Sequence, residues 1–451
     1  MHDWYEQAFR RVLYPAYESG LRRRRTLSWL ADYERNQWLA PEQLAALQWA
    51  QLKRLLEHCY REVPYYRTQW RALGVTPDDI RNLDDYARLP LLTRADMREH
   101  YEALKADSWR DRLLYKVTGG TTGEPLRLGY TRESNDRRQA VMWRGYGWAG
   151  SRMGRRTMYL WGALGQPPWK QRWKDRLFNA AFARRMVNSF HMSEANMAEY
   201  AQAVDDYRPT ILVGYVGALV RLAEWLVDHG RRVFRPQAVL CCAEVLHDFQ
   251  RELIERAFGC VAYNTYGCRE VMLIASECEH HHGLHMNIDH LVIELAKPDY
   301  HLANERTGEV VITDLSNYGM PLLRYANGDM ATAGTSRCPC GRGLPLLSHV
   351  DGRVLDIIRT PDGRALPGEF FPYLLCHVEG VTGFQLVQRR LDRLDLTVAR
   401  GKGFSDDSLT HIRHEIHKAL GDGIELHCQL VDDIPLTRSG KTRLTISELS
   451  S

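Results

Sequence analysis

The chain has 451 residues, 44 % of them apolar and 26 % charged, and its 60 basic and 56 acidic side chains leave a formal charge of +4. That length suggests two domains, and so weak a charge bias excludes a nucleic-acid binder that depends on a strong basic field. No apolar run approaches the roughly 20 residues of a membrane span, the start Met1-His2-Asp3-Trp4-Tyr5-Glu6 lacks a signal peptide's layout, and ten cysteines fit a reducing cytoplasm better than a disulfide framework.

Residues 1 to about 105 read as a mainly helical leader. The run Arg22 to Arg25 reads as a solvated helix end or loop. Pro41 to Tyr60 carries Leu44, Leu47, Leu52, Leu55, Leu56 and Cys59 on one broad helical face, with proline at its start. Val63-Pro64-Tyr65-Tyr66 breaks that helix. From Leu113 the texture changes to short β-rich runs, namely Leu113–Val117, Thr157–Trp161, Thr210–Val216, Ala238–Cys242 and Val261–Tyr266. Amphipathic helices such as Ala218–His229 and Asp248–Phe258 lie between them. Such alternation predicts a large α/β layered domain with largely parallel strands.

The last hundred residues predict a small α+β module. Phe384–Arg390 and Leu394–Arg400 form a hairpin, a helix runs over Ser405–Leu420 before Gly421, and Glu425–Val431 is a final strand. The boundary is placed at Gly352-Arg353, giving a large domain over 1–352 and a small, mobile one over 353–451.

The strongest motif is Thr118-Gly119-Gly120-Thr121-Thr122-Gly123, followed by Glu124-Pro125. Its glycines permit close backbone approach and its threonines add hydroxyls, so the loop can wrap phosphate oxygens. The Gly-Lys-Ser/Thr ending of a Walker loop is absent. Trp143, Tyr146, Trp148 and Trp161 are aromatics suited to an acyl or aryl site, and Gly214-Tyr215-Val216-Gly217 would form another wall. Cys278-x₆-His285 and Cys338-x-Cys340 offer three thiolates and one imidazole, a set suited to a closed tetrahedral Zn²⁺. His280, His281 and His282 are rival ligands to His285.

Further segments follow in order: Tyr263-Asn264-Thr265-Tyr266-Gly267-Cys268-Arg269-Glu270, then Pro321-Leu322-Leu323-Arg324-Tyr325-Ala326-Asn327-Gly328-Asp329, Asp351-Gly352-Arg353, and Pro435-Leu436-Thr437-Arg438-Ser439-Gly440-Lys441-Thr442-Arg443. With the threonine–glycine loop they resemble the adenylate-forming superfamily, in its phenylacetate–CoA ligase and CapK-like branch. The resemblance implies that Tyr266 stacks on adenine beside Gly267 and Arg269, and that Glu270 holds Mg²⁺. It also implies that Asp329 binds the ribose hydroxyls, that Ala243-Glu244 borders adenine and the acyl pocket, that Arg353 opens the hinge, and that Lys441 is the catalytic lysine.

The sequence departs from the family's pattern at three places. Glu124 stands where a lysine is usual, Arg269 where serine or threonine is usual, and Leu355-Asp356 where an acidic pair is usual. The implied reaction joins a carboxylic acid to Mg²⁺–ATP as an acyl-adenylate, then passes the acyl group to an acceptor, with coenzyme A expected. An amine or hydroxyl on an amino acid or sugar is the alternative acceptor, a non-catalytic scaffold of the same fold is the reading of another class, and the sequence leaves a homodimer open.

Overall fold

A computed structural model describes residues 3–449 apart from 118–125, 163–168, 298–304, 354–356, 363–364, 367–369, 376–377, 402, 422, 433 and 435–443. The expected phosphate loop, residues 118–123, and the catalytic-lysine segment, 435–443, therefore lie outside the described residues.

The leader is helical, and its longest helix, Pro41–Glu62, starts with proline in the first turn. The Gln43 side chain accepts the Ala40 amide at 3.0 Å, satisfying one of the donors a helix start leaves free. Leu44, Leu52, Leu55, Leu56 and Cys59 are all fully buried, as their spacing requires. Their burial fixes this helix against the central sheet rather than leaving it an independent arm.

Strands follow as β1 (Leu114–Val117), β2 (Arg127–Tyr130), β3 (Thr157–Trp161), β4 (Arg184–Asn188), β5 (Ile211–Tyr215), β6 (Ala238–Cys242) and β7 (Val261–Cys268). Next come β8 (Met272–Glu277), β9 (Leu284–Met286), β10 (Leu291–Ala296), β11 (Thr307–Asp314), β12 (Tyr325–Ala333) and β13 (Leu346–Arg353). β1 and β2 form a hairpin, and the other eleven build one sheet in the order β10-β11-β12-β13-β9-β8-β7-β6-β5-β3-β4.

The expectation of largely parallel strands holds for only half of that sheet. β4, β3, β5, β6 and β7 are parallel, joined by helices such as Val216–Asp228 and Asp248–Phe258. From β7 onward the pairing is antiparallel. The physical reason lies in the connections: β7 to β8 is a three-residue turn, too short for the crossover that parallel pairing needs.

The C-terminal residues form β14 (Ile358–Arg359), β15 (Ala365–Leu366), β16 (Val381–Arg390), β17 (Arg393–Arg400), a helix over Asp406–Leu420, β18 (Glu425–Val431) and β19 (Thr445–Ser447). β16 and β17 are the expected hairpin, and the sheet order is β18-β17-β16-β19. Ser405 caps the helix by accepting the Ser408 amide at 3.4 Å, and Gly421 ends it at φ +85°. These elements enclose a separate apolar cluster around Phe371, Leu386, Leu396, Ile412 and Ile416.

Candidate active site

A cleft of about 2830 Å³ opens beyond the carboxyl ends of β3, β5, β6 and β7, with Thr382, Phe384, Ile434 and Thr445 of the C-terminal unit on its far side. Open α/β sheets bind ligands at this position because loops diverge there from a rigid platform. Tyr266, Gly267, Arg269, Glu270, Asp329, Arg353, Ala243, Glu244, Trp161 and Tyr215 all line it.

At one end the Tyr266 hydroxyl donates to Asp329 Oδ2 at 2.9 Å, and Asn327 Nδ2 reaches the same oxygen at 2.9 Å. Arg353, paired with Asp329 across β12 and β13, brings its Nε to 3.6 Å from Oδ1. Burial raises the Asp329 carboxyl above its ordinary range, with Arg353 and Tyr266 opposing that rise. Asp329 is thus a fixed acceptor whose orientation is set by three neighbours.

Glu270 is 3 % exposed and sits on the turn between β7 and β8. Its Oε1 accepts Tyr325 Oη at 3.2 Å and lies 3.4 Å from Arg94 Nη2. The turn itself is clamped: Tyr130 Oη donates to the Glu270 carbonyl at 2.9 Å and Arg138 Nη2 to the Arg269 carbonyl at 2.7 Å. Gly267 makes this possible, since a Cβ there would overlap the Met272 carbonyl oxygen. The Arg269 side chain stays exposed and donates to the Val117 carbonyl at 2.7 Å.

Ala243 adopts φ +68°, a left-handed conformation that turns the chain out of β6. Glu244 then accepts the Gly217 amide at 2.7 Å, capping the helix that follows β5. Beside it Trp161 and Tyr215 pack at 4.4 Å between ring centroids, with Phe190 at 6.3 Å from Tyr215. Trp143 and Tyr146 also face the cleft.

Two expected pocket residues do not. Gly214 is buried in β5 pointing away from Tyr215, where a Cβ would meet Leu219 and Leu160. Trp148 donates its indole N–H to Gln37 at 2.8 Å and packs edge-on to His285, 5.4 Å away between centroids. It belongs to the cysteine cluster instead.

That cluster brings Cys278, His285, Cys338 and Cys340 together, their donor atoms all within 4.8 Å of one another. Cys278 Sγ lies 3.5 Å from Cys338 Sγ, and Cys340 Sγ 3.4 Å from His285 Nε2. His285 Nδ1 faces the Leu344 carbonyl at 3.2 Å, which fixes its proton there and leaves the Nε2 lone pair toward the sulfurs. The His280 and Arg342 amides approach the Cys278 and Cys340 sulfurs, at 3.5 and 3.4 Å. Two of the rival histidines are held elsewhere: His281 meets Glu277, and His282 meets Ser336. Burial pushes the Cys278 thiol up to about 12 and the His285 imidazole down to about 4, while the amide and side chain of Arg342 lower the Cys340 thiol.

Several site residues carried no sequence signal of their own. Arg94 lies in a helix start capped by Thr93 and Asp96, and reads as a surface residue until the fold brings it to Glu270. Asn327 and Tyr325 sit inside the Arg-Tyr-Ala-Asn-Gly-Asp segment and were within reach of it.

Residues 358–448 match the family described as CapK C-terminal domain. Over 442 residues the chain is 29 % identical to phenylacetate–coenzyme A ligase of Thermus thermophilus, covering 90 % of this chain and 96 % of that protein. It is 26 % identical over 434 residues to the Escherichia coli protein of that name, covering 89 % and 94 % respectively. Protein CapK of Staphylococcus aureus is 23 % identical over 375 residues, covering 80 % of each. Among solved structures, 2-hydroxyisobutyryl-CoA ligase in its postadenylation state superposes with a TM-score of 0.73 at 19 % identity, covering 92 % of both chains.

The large mixed sheet with a cleft at its strand ends and a small C-terminal unit beside it is a fold shared with that ligase. Over most of its length the chain is thus similar to phenylacetate–CoA ligases and to CapK, and its C-terminal residues match the CapK C-terminal family.

Proposed function

We propose that this chain is an AMP-forming ligase. It condenses a carboxylate with the α-phosphate of ATP to give an acyl-adenylate and pyrophosphate, then transfers the acyl group to the thiol of coenzyme A, releasing AMP. The observation that carries this reading is the convergence of Tyr266, Asp329 and Arg353, of Glu270, and of the Trp161–Tyr215 aromatic wall on one cleft. A nucleotide and an organic acid each find a fitting surface there, side by side.

In this reading Asp329 takes the ribose hydroxyls, held ready by Tyr266 and Asn327. Glu244 and Tyr215 border the acyl group, and Arg269 with the residue 118–123 loop faces the phosphates. Attack on the α-phosphate needs positioning and positive charge more than covalent help. Lys441 supplies that charge from the C-terminal unit, whose rotation about Arg353 would then admit the thiol. Glu270 is a buried carboxylate at the cleft, the type of ligand Mg²⁺ uses beside phosphate oxygens. Mg²⁺ there would neutralise phosphate charge. The Cys278, His285, Cys338 and Cys340 set fits Zn²⁺ in donor type and spacing, as a structural ion remote from the chemistry.

No helix among the described residues is long and apolar enough to cross a membrane. The nine described cysteines form no disulfide, which supports a cytoplasmic setting.

The deciding experiment is a pyrophosphate-release screen over aryl and aliphatic acids. It is run with and without coenzyme A and followed by mass spectrometry with coenzyme A, amino acids and nucleotide sugars as acceptors. Pyrophosphate release with at least one acid and an acyl-CoA product is the expected result. No release with any acid would overturn the ligase reading, and an amide or ester product would overturn the thiol acceptor.

A further inference from the structure

Three cations crowd the wall of the cleft beside the point where β1 runs into the threonine–glycine loop. Lys116 is the penultimate residue of β1, Arg138 projects from the Arg132–Trp148 helix, and Arg269 comes from the β7–β8 turn. Among the described residues none of the three has a carboxylate within salt-bridge distance. Lys116 Nζ donates to the neutral Asn135 side chain, at 3.0 Å. Arg138 is 2 % exposed, yet its Nε and Nη1 have no hydrogen-bond partner.

Those unpartnered groups matter because burying a guanidinium without partners is costly. Arg138 spends one nitrogen on the Arg269 carbonyl and lies 4.0 Å over the Tyr130 ring, which leaves its remaining donors to a ligand. The three charges also act on one another. Desolvation, then Arg138 and Arg269, lower the Lys116 ammonium to about 8. A site that strains three like charges together is relieved by an anion of high charge density.

We propose that Lys116 and Arg138, with Arg269, form the binding site for the pyrophosphate leaving group of ATP, a role that no feature of the threonine–glycine loop assigns to them. The inference rests on the ligase reading above. It also accounts for a departure in the sequence: Glu124 replaces the lysine usual after the loop, and the missing charge is supplied by Lys116 and Arg138 from flanking elements. These two hold the β- and γ-phosphates while Arg269 bridges toward the α-phosphate, so charge leaving with pyrophosphate is met by fixed donors.

The test is calorimetric titration of the full chain with inorganic pyrophosphate and, separately, with AMP. Lys116→Met and Arg138→Met should each weaken pyrophosphate at least about tenfold, the loss expected for one charge-assisted hydrogen bond. AMP binding should be unchanged, and Lys116→Arg should retain most of the pyrophosphate affinity. Unchanged pyrophosphate affinity in Lys116→Met, or an equal loss for AMP, overturns the assignment, as does a wild-type chain that binds no pyrophosphate. If circular dichroism shows that Arg138→Met does not fold, Lys116→Met decides alone. Failure of the ligase reading would appear elsewhere, in the wild-type release assay, so the two are separable.

Discussion

Asp329 shows how one residue can be costly to the fold and needed by the site. Burial lifts its carboxyl above the ordinary value of 3.8, so the folded chain binds that proton more tightly than the unfolded chain does. The stabilisation this gives is complete below the unfolded value and is lost as pH rises through the folded one. Asp329→Asn escapes that loss. Its melting temperature relative to wild type, without ligand, should therefore be higher at about pH 8 than at about pH 5. The same substitution removes the anionic acceptor proposed for the ribose and should raise the KM for ATP about tenfold or more. A melting difference that does not change with pH would show that the carboxylate is not penalised by its burial.

The turn between β7 and β8 carries Arg269 and Glu270, and its geometry depends on the absence of a side chain at Gly267. In Gly267→Ala the new methyl group would press on the Met272 carbonyl, a backbone atom that cannot swing aside. The expected result is a lower melting temperature together with an adenylation rate reduced by more than the stability loss explains, because Glu270 moves with the turn. Retained activity at a lowered melting temperature would mean that the turn's placement is not what the site needs. The cysteine cluster ties different elements together, joining the end of β8 and β9 to the loop before β13. Cys338→Ser should abolish zinc in elemental analysis and lower the melting temperature by about 5 °C or more, the shift a few kcal/mol produces in a domain of this kind. Less than a tenth of an equivalent of metal in untagged wild-type protein, a threshold set well under the full occupancy expected of a closed structural site, would remove zinc from the account.

Elements were legible in the sequence where their periodicity was strong. β3, β6, β18 and the Asp248–Phe258 helix lie where their patterns place them, and the Pro41 helix runs only two residues further than expected. Pairing direction was not legible, since alternation says which face a residue takes but not which neighbour it meets. The two misplaced pocket residues were within reach of simple geometry. Gly214 precedes Tyr215 on a strand, so the two must face opposite sides. Trp148 lies five residues after Trp143, roughly 140° around the helix, and so cannot share its face. Lys116 and Arg138 were beyond sequence reasoning because β1, the Arg132–Trp148 helix and the β7–β8 turn meet only through the fold.

At the scale of the whole molecule, the cleft is made by two units that contribute different chemistry. The large sheet supplies the surfaces proposed for nucleotide and acid, while Thr382, Phe384, Ile434 and Thr445 bring the C-terminal unit against the opening. Lys441 lies in the segment between Ile434 and β19, two fixed points that both belong to this cleft-facing unit. On the proposed mechanism a compact cation from that segment would serve the adenylation step alone, since thioester formation needs the thiol to reach the acyl carbon and no longer involves the leaving phosphates. Lys441→Ala should therefore slow acyl-adenylate formation by about a hundredfold to a thousandfold, the scale of losing one positioned electrostatic stabiliser. Supplied with acyl-adenylate and coenzyme A, the same variant should form thioester at a rate far closer to wild type. The two half-reactions are read separately, the first by pyrophosphate release and the second by thioester formation in single turnover. Equal loss in both would mean that Lys441 acts on the fold or on domain placement rather than on the α-phosphate, and the division of labour between the units would have to be redrawn.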